Sequence, residues 1–494
     1  MRLAKEKLKN YILMFLIGCS IVQMCVYYNY QSGNKISTFI ENLYKKDKYN
    51  FNINEFFTPS KIVVSEGFDG SHYLLKKDTR EYNVLWNDAK KYLKDLLETR
   101  NYGDVVPYTD EIWSSIIIKK SIMIEFFGEI DSDLISTFLG NEFKLNTELE
   151  NIEKVVMQPF DSVNNTMTFY VANDKEIFKV ISPITKGRLE KKYYDELIKD
   201  ISRKKPQINY SLIKEIFPNE EKSPFKISPD VLVAINNDTE KYNSYFCMLP
   251  ILLDDIKITN SNDIGDLSFE ILGSNKDYYD VGVDINNTIV FKNLENIFRI
   301  HKDGLLEYKY LGNVSEKSAT NIAKAFNNAT EFIASLRGLV EGADITLVKT
   351  EKLNSKSENG YKFTFDYKLN DIPVLIKNYS SKETPNIKLQ NAIEITSTNN
   401  KVISCIWLLR DFGKADDGVE YYIGFEELLD NGFKNNNIQK NNLKIDCIYN
   451  AYIVSLEEDE ILTPHCILNY KRGTSTYYSV PLIRKDESSE LGVR

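Results

Sequence analysis

The sequence predicts an α+β protein in which a single N-terminal transmembrane helix is followed by three exported domains of antiparallel sheet with helices packed on one face. Three observations lead to this prediction. One long apolar run lies at 11–28, and nothing comparable follows it. Helical periodicity then recurs between groups of alternating, strand-like segments, and at roughly 150 residues per domain the length of 494 residues suggests three domains.

The apolar run at 11–28 (YILMFLIGCSIVQMCVYY) has the length of a membrane span. At about 1.5 Å per residue it covers about 27 Å, close to the thickness of a bilayer core. A basic segment precedes it, which orients the N-terminus to the cytoplasm. The sequence therefore predicts a cytoplasmic tail at 1–10, a transmembrane helix at 11–28 that contacts the lipid bilayer, and a stalk at 29–50. The predicted localisation is the cell membrane, single-pass, with the bulk of the chain extracytoplasmic.

Two kinds of processing compete with a retained anchor. A cleaved signal peptide needs small residues after its apolar core, whereas bulky residues occupy 25–28. Lipoprotein processing at Leu16, Ile17, Gly18 and Cys19 has suitable residue types, so this alternative stays open. The mostly apolar residues that continue beyond Cys19 favour a span.

Composition indicates a folded, non-nucleic-acid-binding chain. With 43% hydrophobic and 27% charged residues the chain can bury a core, and its net charge of −9 makes nucleic acid a poor partner. Four cysteines lie beyond the apolar run, and buried free thiols are favoured for them, although a disulfide stays open. They are Cys247, Cys405, Cys447 and Cys466.

The first predicted domain, 51–205, begins with a hairpin of strands at 61–66 and 73–77 around a glycine-containing turn. An amphipathic helix is expected at 83–98, because apolar residues recur there at steps of three and four. Alternating segments predict further strands. These are placed at 115–127, 153–159, 166–172 and 176–181, with helices after Asp131 and at 187–204.

The same patterns divide the rest of the chain into a middle domain, 206–313, and a C-terminal domain, 314–494. The middle domain is expected to contain strands at 231–235, 288–293, 297–301 and 305–310 and a helix at 264–272. The C-terminal domain is expected to open with an amphipathic helix at 315–339. Its predicted strands are 344–349, 361–367, 372–378, 388–396, 402–409, 443–454, 462–470 and 476–481, with a short helix at 424–429.

No catalytic or metal-binding motif is evident, so the sequence predicts a protein that is not an enzyme and has no cofactor. His72, His301 and His465 lack zinc-site spacing and are expected at the surface or at sheet edges. The acidic pairs at 254–255 and 416–417 do not form a calcium loop, and 417–418 is expected to be a turn. An exported hydrolase stays open only if the fold places a histidine beside acidic residues in a pocket.

The predicted membrane helix carries one polar stripe. Ser20 and Gln23 lie three residues apart, and Leu16 and Tyr27 extend the same helical face. A buried glutamine amide needs a hydrogen-bond partner, which a second membrane helix can supply. We therefore predict that these four residues contact a partner helix. The alternative, in which Gln23 reaches toward headgroups or water, stays open.

Several short segments spread along the chain resemble the YycH (WalH) regulatory proteins of low-GC Gram-positive bacteria. The basic-tailed single helix is the first of them. The others are 56–63 (FFTPSKIV), His72-Tyr73, Trp86, Trp113, 302–308 (KDGLLEY) and 371–374 (DIPV).

This resemblance implies a non-enzymatic regulator of a sensor histidine kinase of the YycG (WalK) type, which controls cell-wall metabolism. It further implies a YycI-type partner protein, a C-terminal domain similar to YycI, and control through contacts of the membrane helix and the exported domains. A homodimer also stays open. The rival hypothesis is a membrane-anchored or lipoprotein-type extracytoplasmic protein that binds a ligand or the cell wall.

Overall fold

The computed structural model describes residues 56–485 apart from a set of internal segments. Those segments are 69–70, 78, 100–102, 141–148, 162–165, 184–190, 205–207, 209, 219–225, 236–238, 251–252, 254–264, 285, 314–320, 355–358, 378, 381–387, 417, 426–427, 430–443, 456–459 and 470–476. The predicted tail, membrane helix and stalk all lie outside the described residues.

The described helices are α1 Arg80–Thr99, α2 Asp110–Ile117, α3 Ser132–Phe138, α4 Lys191–Arg203, α5 Ile213–Ile216, α6 Gly265–Leu272 and α7 Ile322–Ser335. The strands of the first half are β1 Lys61–Ser65, β2 His72–Leu75, β3 Val105–Pro107, β4 Ser121–Asp131, β5 Asn151–Asp161, β6 Thr166–Ala172, β7 Glu176–Pro183, β8 Tyr210–Leu212, β9 Lys226–Ile227, β10 Leu232–Ala234, β11 Thr239–Tyr242 and β12 Tyr245–Met248.

The remaining strands are β13 Asp280–Val283, β14 Ile289–Lys292, β15 Asn296–Ile300, β16 Leu305–Tyr310, β17 Asp344–Asn354, β18 Asn359–Leu369, β19 Ile372–Ile376, β20 Tyr379–Ser380, β21 Lys388–Leu389, β22 Ile393–Ser397, β23 Val402–Leu408, β24 Asp411–Lys414, β25 Val419–Tyr422, β26 Lys444–Ile445, β27 Cys447–Val454, β28 Glu460–Leu462, β29 Pro464–Asn469 and β30 Tyr477–Pro481.

Two large sheets contain most of these strands. The first has nine strands in the order β10-β8-β2-β1-β4-β5-β6-β7-β3, and all of its neighbouring strands are antiparallel. The second has twelve strands, ordered β13-β14-β15-β16-β23-β22-β18-β19-β27-β29-β30, with β17 also paired to β18. One pair within the second sheet, β19 with β27, is parallel. Four small sheets of two or three strands pair β11 with β25, β12 with β24 and β28, β20 with β21, and β9 with β26.

Aromatic residues at the start of the described chain join the two large sheets into one core. The Phe57 ring stacks on Phe126 and Phe138 at centroid distances of 5.1 and 4.7 Å. The neighbouring Phe56 ring lies 5.6 Å from that of Phe365 in β18 and 6.4 Å from that of Phe326 in α7. This dipeptide therefore packs into both halves at once.

Local pattern predicted several elements well. The hairpin of β1 and β2 is confirmed, with Val64 opposite Tyr73 and Gly67 at a φ of +109°. Helix α1 is confirmed, and its expected apolar face is buried. The turn before β16 is also confirmed, since Gly304 has a φ of +79° and its backbone N–H donates to His301 O.

The predicted strand at 115–127 is wrong in its first part. Residues Asp110–Ile117 form α2, which begins after Thr109, whose side-chain oxygen accepts a hydrogen bond from the backbone N–H of Ile112. Trp113, Ile116 and Ile117 are buried on one side of this helix. A threonine cap followed by two acidic residues is a helix start signal, and it outweighs the strand preference of three consecutive isoleucines.

The predicted fold class is also corrected. The strands of the predicted middle domain do not form a sheet of their own: β8 and β10 belong to the nine-stranded sheet, whereas β13 to β16 form one edge of the twelve-stranded sheet. The architecture is therefore a mostly antiparallel, β-rich fold built on two large sheets, in place of three sheet domains behind a membrane helix. The boundaries at 51–205, 206–313 and 314–494 themselves stay predictions.

The prediction of a transmembrane fold class and a single-pass membrane localisation is corrected as well. In the part of the chain that the structure describes, no helix is both long and apolar enough to cross a membrane. The longest of these helices, α1, has 20 residues and is rich in lysine and acidic residues, which accounts for its exclusion. The predicted span at 11–28 lies outside the described residues, together with its contact residues Leu16, Ser20, Gln23 and Tyr27.

Candidate ligand-binding cleft

A cleft of about 1520 Å³ lies between the two large sheets. Its first wall comes from the ends of β1, β2 and β4 and the start of α1, and its second wall comes from β18, β19, β27, β29 and β30. Strands β10 and β11 close it from a third side. The cleft is larger than the pockets of roughly 300–1,000 Å³ that hold most small ligands.

Two ion pairs connect the walls. Lys77, just after β2, places its Nζ atom 2.6 Å from Asp371 Oδ1 in the turn between β18 and β19. The adjacent Lys76 places its Nζ atom 3.0 Å from Glu240 Oε1 in β11. All four residues line the cleft. Two consecutive lysines after β2 therefore form ion pairs with two different elements across the cleft, the β18–β19 turn and β11.

The turn that presents Asp371 has an unusual backbone. Asn370 and Asp371 have φ angles of +49° and +65°, the left-handed pair that a two-residue hairpin turn of type I′ requires. Asn and Asp tolerate this region better than other non-glycine residues. Lys368, which is 2% exposed and lies 3.8 Å from Asp371 Oδ1, packs over the Phe127 ring. Burial, and then the nearby Lys77, lower the pKa of Lys368 to about 8.

A buried carboxylate occupies the second wall. Asp366 on β18 is only 7% exposed and lines the cleft. Its Oδ1 atom accepts a hydrogen bond of 2.9 Å from the backbone N–H of Ala392, and its Oδ2 atom accepts one of 2.8 Å from Asn391 Nδ2. Burial raises its pKa to about 6 despite these two bonds. Among the described residues, no lysine or arginine forms an ion pair with it.

One tyrosine lies near this carboxylate and a second lies near the first. Tyr449 on β27 lies within electrostatic range of Asp366, Tyr477 and Cys447, and all four residues line the cleft. Burial raises the pKa of both tyrosines, so both phenols are neutral at pH 7. The Tyr477 hydroxyl is buried and has no hydrogen-bond partner among the described residues. We call Asp366, Asn391, Tyr449 and Tyr477 the acidic subsite.

The charged groups around the Cys447 thiol, beside the acidic subsite, include more carboxylates than lysines. The groups that act on the Cys447 thiol include three carboxylates, Glu125, Glu153 and Asp230, and one lysine, Lys61. Lys61 is already paired, because its Nζ atom lies 3.0 Å from Glu125 Oε2. Burial is the main cause that raises the pKa of the thiol, so Cys447 is no nucleophile at neutral pH.

Asp366→Asn is expected to stabilise the protein by about 3 kcal/mol at pH 7, since the pKa of Asp366 is raised from 3.8 to about 6 and one pKa unit corresponds to about 1.4 kcal/mol. The folded-state pKa of Asp366, about 6, lies above its ordinary value of 3.8, so the carboxylate lowers stability as pH rises from about 4 through 6. Rotation of the Asn391 amide lets its oxygen accept a hydrogen bond from the new amide nitrogen. Urea unfolding of both proteins at pH 5 and 7 measures the effect. An unchanged or lower stability of the variant at pH 7 would contradict it.

The histidines lie elsewhere, and their predicted surface or edge positions are wrong for two of the three. His72 is 1% exposed, and its Nε2 atom lies 3.0 Å from Glu215 Oε2 at the start of α5. His301 is 4% exposed, with its Nε2 atom 2.5 Å from Glu307 Oε1. A carboxylate from a neighbouring element satisfies each ring, which allows burial. His465 is half-buried and bonds Thr463 O through Nδ1, and burial lowers its pKa.

These His–Glu pairs give the hydrolase alternative no support. His72 borders a void of about 10 Å³, which has room for no substrate. Neither His72 nor His301 lines the large cleft. Within the described residues, no group of three or more His, Cys, Asp or Glu side chains is placed to hold a metal ion.

The cysteines and the other acidic pairs follow the sequence more closely. All four described cysteines are free thiols, as favoured, and Cys247, Cys405 and Cys466 are buried. Asp416 accepts hydrogen bonds from the backbone N–H groups of Ser244 and Gly418, and Gly418 has a φ of +83°, whereas residue 417 of the predicted turn lies outside the described residues. The pair at 254–255 lies outside the described residues.

Comparison with known proteins adds little to this description. No family model matches the chain, and no curated protein matches it. Among solved structures, the chain is similar to an uncharacterized protein from Eubacterium rectale ATCC 33656, with 11% identity over 56% of this chain and 89% of that chain. The TM-score is 0.27, which is too low to support a conclusion about function. The resemblance to YycH proteins therefore stays a prediction.

Sequence reasoning missed the whole acidic subsite. Its members come from β18, β27, β30 and the segment before β22, so no local motif contains them. Asp366 lies on the alternate face of β18 from the buried Phe363, Phe365 and Tyr367, where a polar residue is expected, so the strand's own pattern gave no signal of the site. Its burial, which only the structure shows, is retained at a cost in stability and points to a binding role.

Proposed function

We propose that this chain is a non-enzymatic ligand-binding protein and that its ligand occupies the cleft between the two large sheets. The cleft's volume of about 1520 Å³ is the observation that carries the proposal. Its lining combines an apolar surface with a few convergent polar groups, which is the usual composition of a binding site. Buried carboxylate and phenol groups at one place in the wall would fix the orientation of a ligand.

The ion pairs at the cleft support a binding role in a second way. Lys77 with Asp371, and Lys76 with Glu240, hold the walls apart at fixed positions before any ligand arrives. A cleft that is already formed avoids the free-energy cost of ordering its walls on binding. Both lysines are partly exposed, so each pair contributes only about 0–1 kcal/mol to stability.

Filling the cleft tests this proposal. Ser479 on β30 lines the cleft, and Ser479→Trp would place an indole in it. We expect fragments drawn from cationic, neutral and anionic classes to give saturation-transfer NMR signals with the wild type, and we expect Ser479→Trp to abolish the signals of those that bind.

The matched control is Ser404→Trp on β23, a half-buried serine that does not line the cleft. This variant should retain the signals of the wild type. The proposal fails if no fragment binds the wild type, or if Ser479→Trp retains every signal.

The regulatory function that the resemblance implies remains a separate prediction. Its predicted contact residues lie outside the described chain, and among the described residues no contact favours a histidine kinase or a YycI-type protein as partner. Ligand binding and regulation are compatible. A ligand in the cleft would shift the conformational equilibrium of a complex with a partner if it bound the two conformations with different affinities. Co-purification of a histidine kinase with the full chain would support the prediction, and its absence from a membrane extract that contains the kinase would contradict it.

A further inference from the structure

We propose that the acidic subsite binds an organic ammonium group, so that the ligand of the cleft is an amine with an apolar body. This inference rests on the proposed function and names the chemical class of its ligand. It follows from the contacts of Asp366, from the tyrosines beside it and from the charge of the site.

The first argument is the incomplete satisfaction of Asp366. An ionised carboxylate offers about four acceptor positions, and its two hydrogen bonds, from Ala392 N and Asn391 Nδ2, use one on each oxygen. Both donors are neutral. A buried carboxylate normally has a cationic partner, and among the described residues none is paired with Asp366. A ligand ammonium would supply the missing charge and up to three donors.

The second argument is the aromatic wall. Tyr449 lies within electrostatic range of Asp366, and Tyr477 lies within electrostatic range of Tyr449. Tyr478 on β30 also lines the cleft. Aromatic rings attract organic cations through their negative faces and bury the carbon atoms next to the charge. The buried Tyr477 hydroxyl, which has no partner among the described residues, offers a further acceptor to a ligand in the cleft.

The third argument separates an organic cation from a metal ion and from an anion. Metal sites of the calcium type need several converging oxygen ligands, whereas a single carboxylate is present in the acidic subsite. An anion is disfavoured because the Asp366 carboxylate would repel it, and among the described residues no lysine or arginine forms an ion pair with Asp366. An alkyl chain suits the apolar part of the cleft.

Three probes with one apolar body test the proposal: hexylammonium, hexanol and hexanoate, titrated into the full chain and followed by NMR or calorimetry. We expect hexylammonium to bind the wild type at least about tenfold more tightly than hexanol, because a charge-assisted hydrogen bond in a desolvated site is worth that much. Hexanoate should bind the weakest of the three.

Asp366→Asn should remove the preference for hexylammonium over hexanol. The control is Glu394→Gln, since Glu394 lies on the neighbouring strand β22, acts electrostatically on Asp366 and does not line the cleft. This variant should keep the preference. Equal binding of all three probes by the wild type, or an unchanged preference in Asp366→Asn, would overturn the ammonium proposal while the cleft would still stand as a binding site. Failure of all three probes to bind would also overturn the ammonium proposal. Whether the cleft binds any ligand is tested separately by the fragment experiment described above.

A measurement on the unmodified chain gives a second test. Hexylammonium keeps its charge between pH 5 and 7, whereas Asp366 takes up a proton as pH falls through about 6. Its affinity should therefore fall by about tenfold from pH 7 to pH 5, while that of hexanol stays constant. Glu394 on β22 acts electrostatically on Asp366, and Tyr449, Tyr477 and Cys447 are the titratable groups beside it on the cleft wall. Burial raises the pKa of these last three groups and keeps them neutral between pH 5 and 7. Glu394→Gln should show the same pH dependence, and a flat profile for hexylammonium would overturn the proposal.

Discussion

Replacing Gly128 with alanine is expected to lower the free energy of unfolding by about 3 kcal/mol, the upper end of what overpacking usually costs. A Cβ atom at this position would lie 2.1 Å from the carbonyl oxygen of Val348 and 3.2 Å from its carbonyl carbon. Both neighbours are backbone atoms, so no side chain can rotate away. The two large sheets would have to separate at this point, where Gly128 on β4 meets Val348 on β17.

A bulge in β17 brings its backbone close to Gly128 of β4. Pairing of β17 with β18 shifts between Leu347 and Lys349, so Val348 is a bulged residue whose backbone turns toward the other sheet. Two further contacts hold the junction: Asp131 N donates to Thr350 Oγ1 at 2.9 Å, and Leu347 N donates to Phe56 O at 3.3 Å. Gly128 and Val348 both line the cleft, so this junction also sets the spacing of its walls.

Urea unfolding followed by circular dichroism measures the loss, and Gly282→Ala is its matched control. Gly282 also lies in a strand, β13, but its Cβ would meet no heavy atom within 4 Å, so we expect a change within about 0.5 kcal/mol. Equal stabilities of Gly128→Ala and Gly282→Ala would show that the sheets do not meet as closely as the structure has them.

What the sequence could predict is the part of the fold that depends on neighbours in the chain. The hairpin of β1 and β2, helix α1 and the turn at Gly304 each follow from residues a few positions apart. Sheet membership does not: β10 and β14 to β16 are all predicted as strands of one middle domain, yet β10 joins the nine-stranded sheet and β14 to β16 join the twelve-stranded sheet. That choice depends on which distant strand offers a complementary face, and a single sequence does not contain this information in local form.

The sequence also did not predict which titratable side chains are buried. His72, Lys154 and Asp366 all occupy strand positions where alternation alone would place a polar residue at the surface. Two of them are buried because a helix covers that face of the sheet: α5 covers His72, and α2 covers Lys154. Asp366 is buried in the wall of the cleft between the two sheets. Covering elements cannot be assigned from a strand's own pattern, which is why the candidate site became evident only in the structure.

Lys154→Met is expected to destabilise the protein by about 3 kcal/mol at pH 7, because removing one partner of a buried ion pair leaves a charge without compensation. Lys154 on β5 is 1% exposed, and its Nζ atom lies 3.7 Å from Asp230 Oδ2 and donates a 2.8 Å hydrogen bond to Tyr108 Oη. The ammonium also lies 5.1 and 5.5 Å from the ring centres of Tyr108 and Trp113. Methionine fills a similar volume but supplies neither the charge nor the donors.

The expected loss depends on pH. Burial, followed by the neighbouring Asp110 and Glu125, already raises the pKa of Asp230 well above its ordinary value, and loss of the lysine would raise it further. A carboxyl group with a raised folded-state pKa lowers stability as pH rises through that range, so the variant should lose less stability at pH 5 than at pH 7. Urea unfolding of both proteins at the two pH values measures this difference.

A double-variant cycle with Asp230→Asn separates the ion pair from simple loss of packing. If the pair is responsible, Lys154→Met combined with Asp230→Asn should be more stable at pH 7 than Lys154→Met alone, with a coupling energy of about 1–3 kcal/mol. Lys175→Met, at an exposed turn before β7, should change stability by less than about 0.5 kcal/mol. Additive effects of the two substitutions, without pH dependence, would mean that Lys154 acts through the contacts of its ammonium with Tyr108 and Trp113. In that case the ammonium would hold β5 and α2 together through the aromatic rings and not through Asp230.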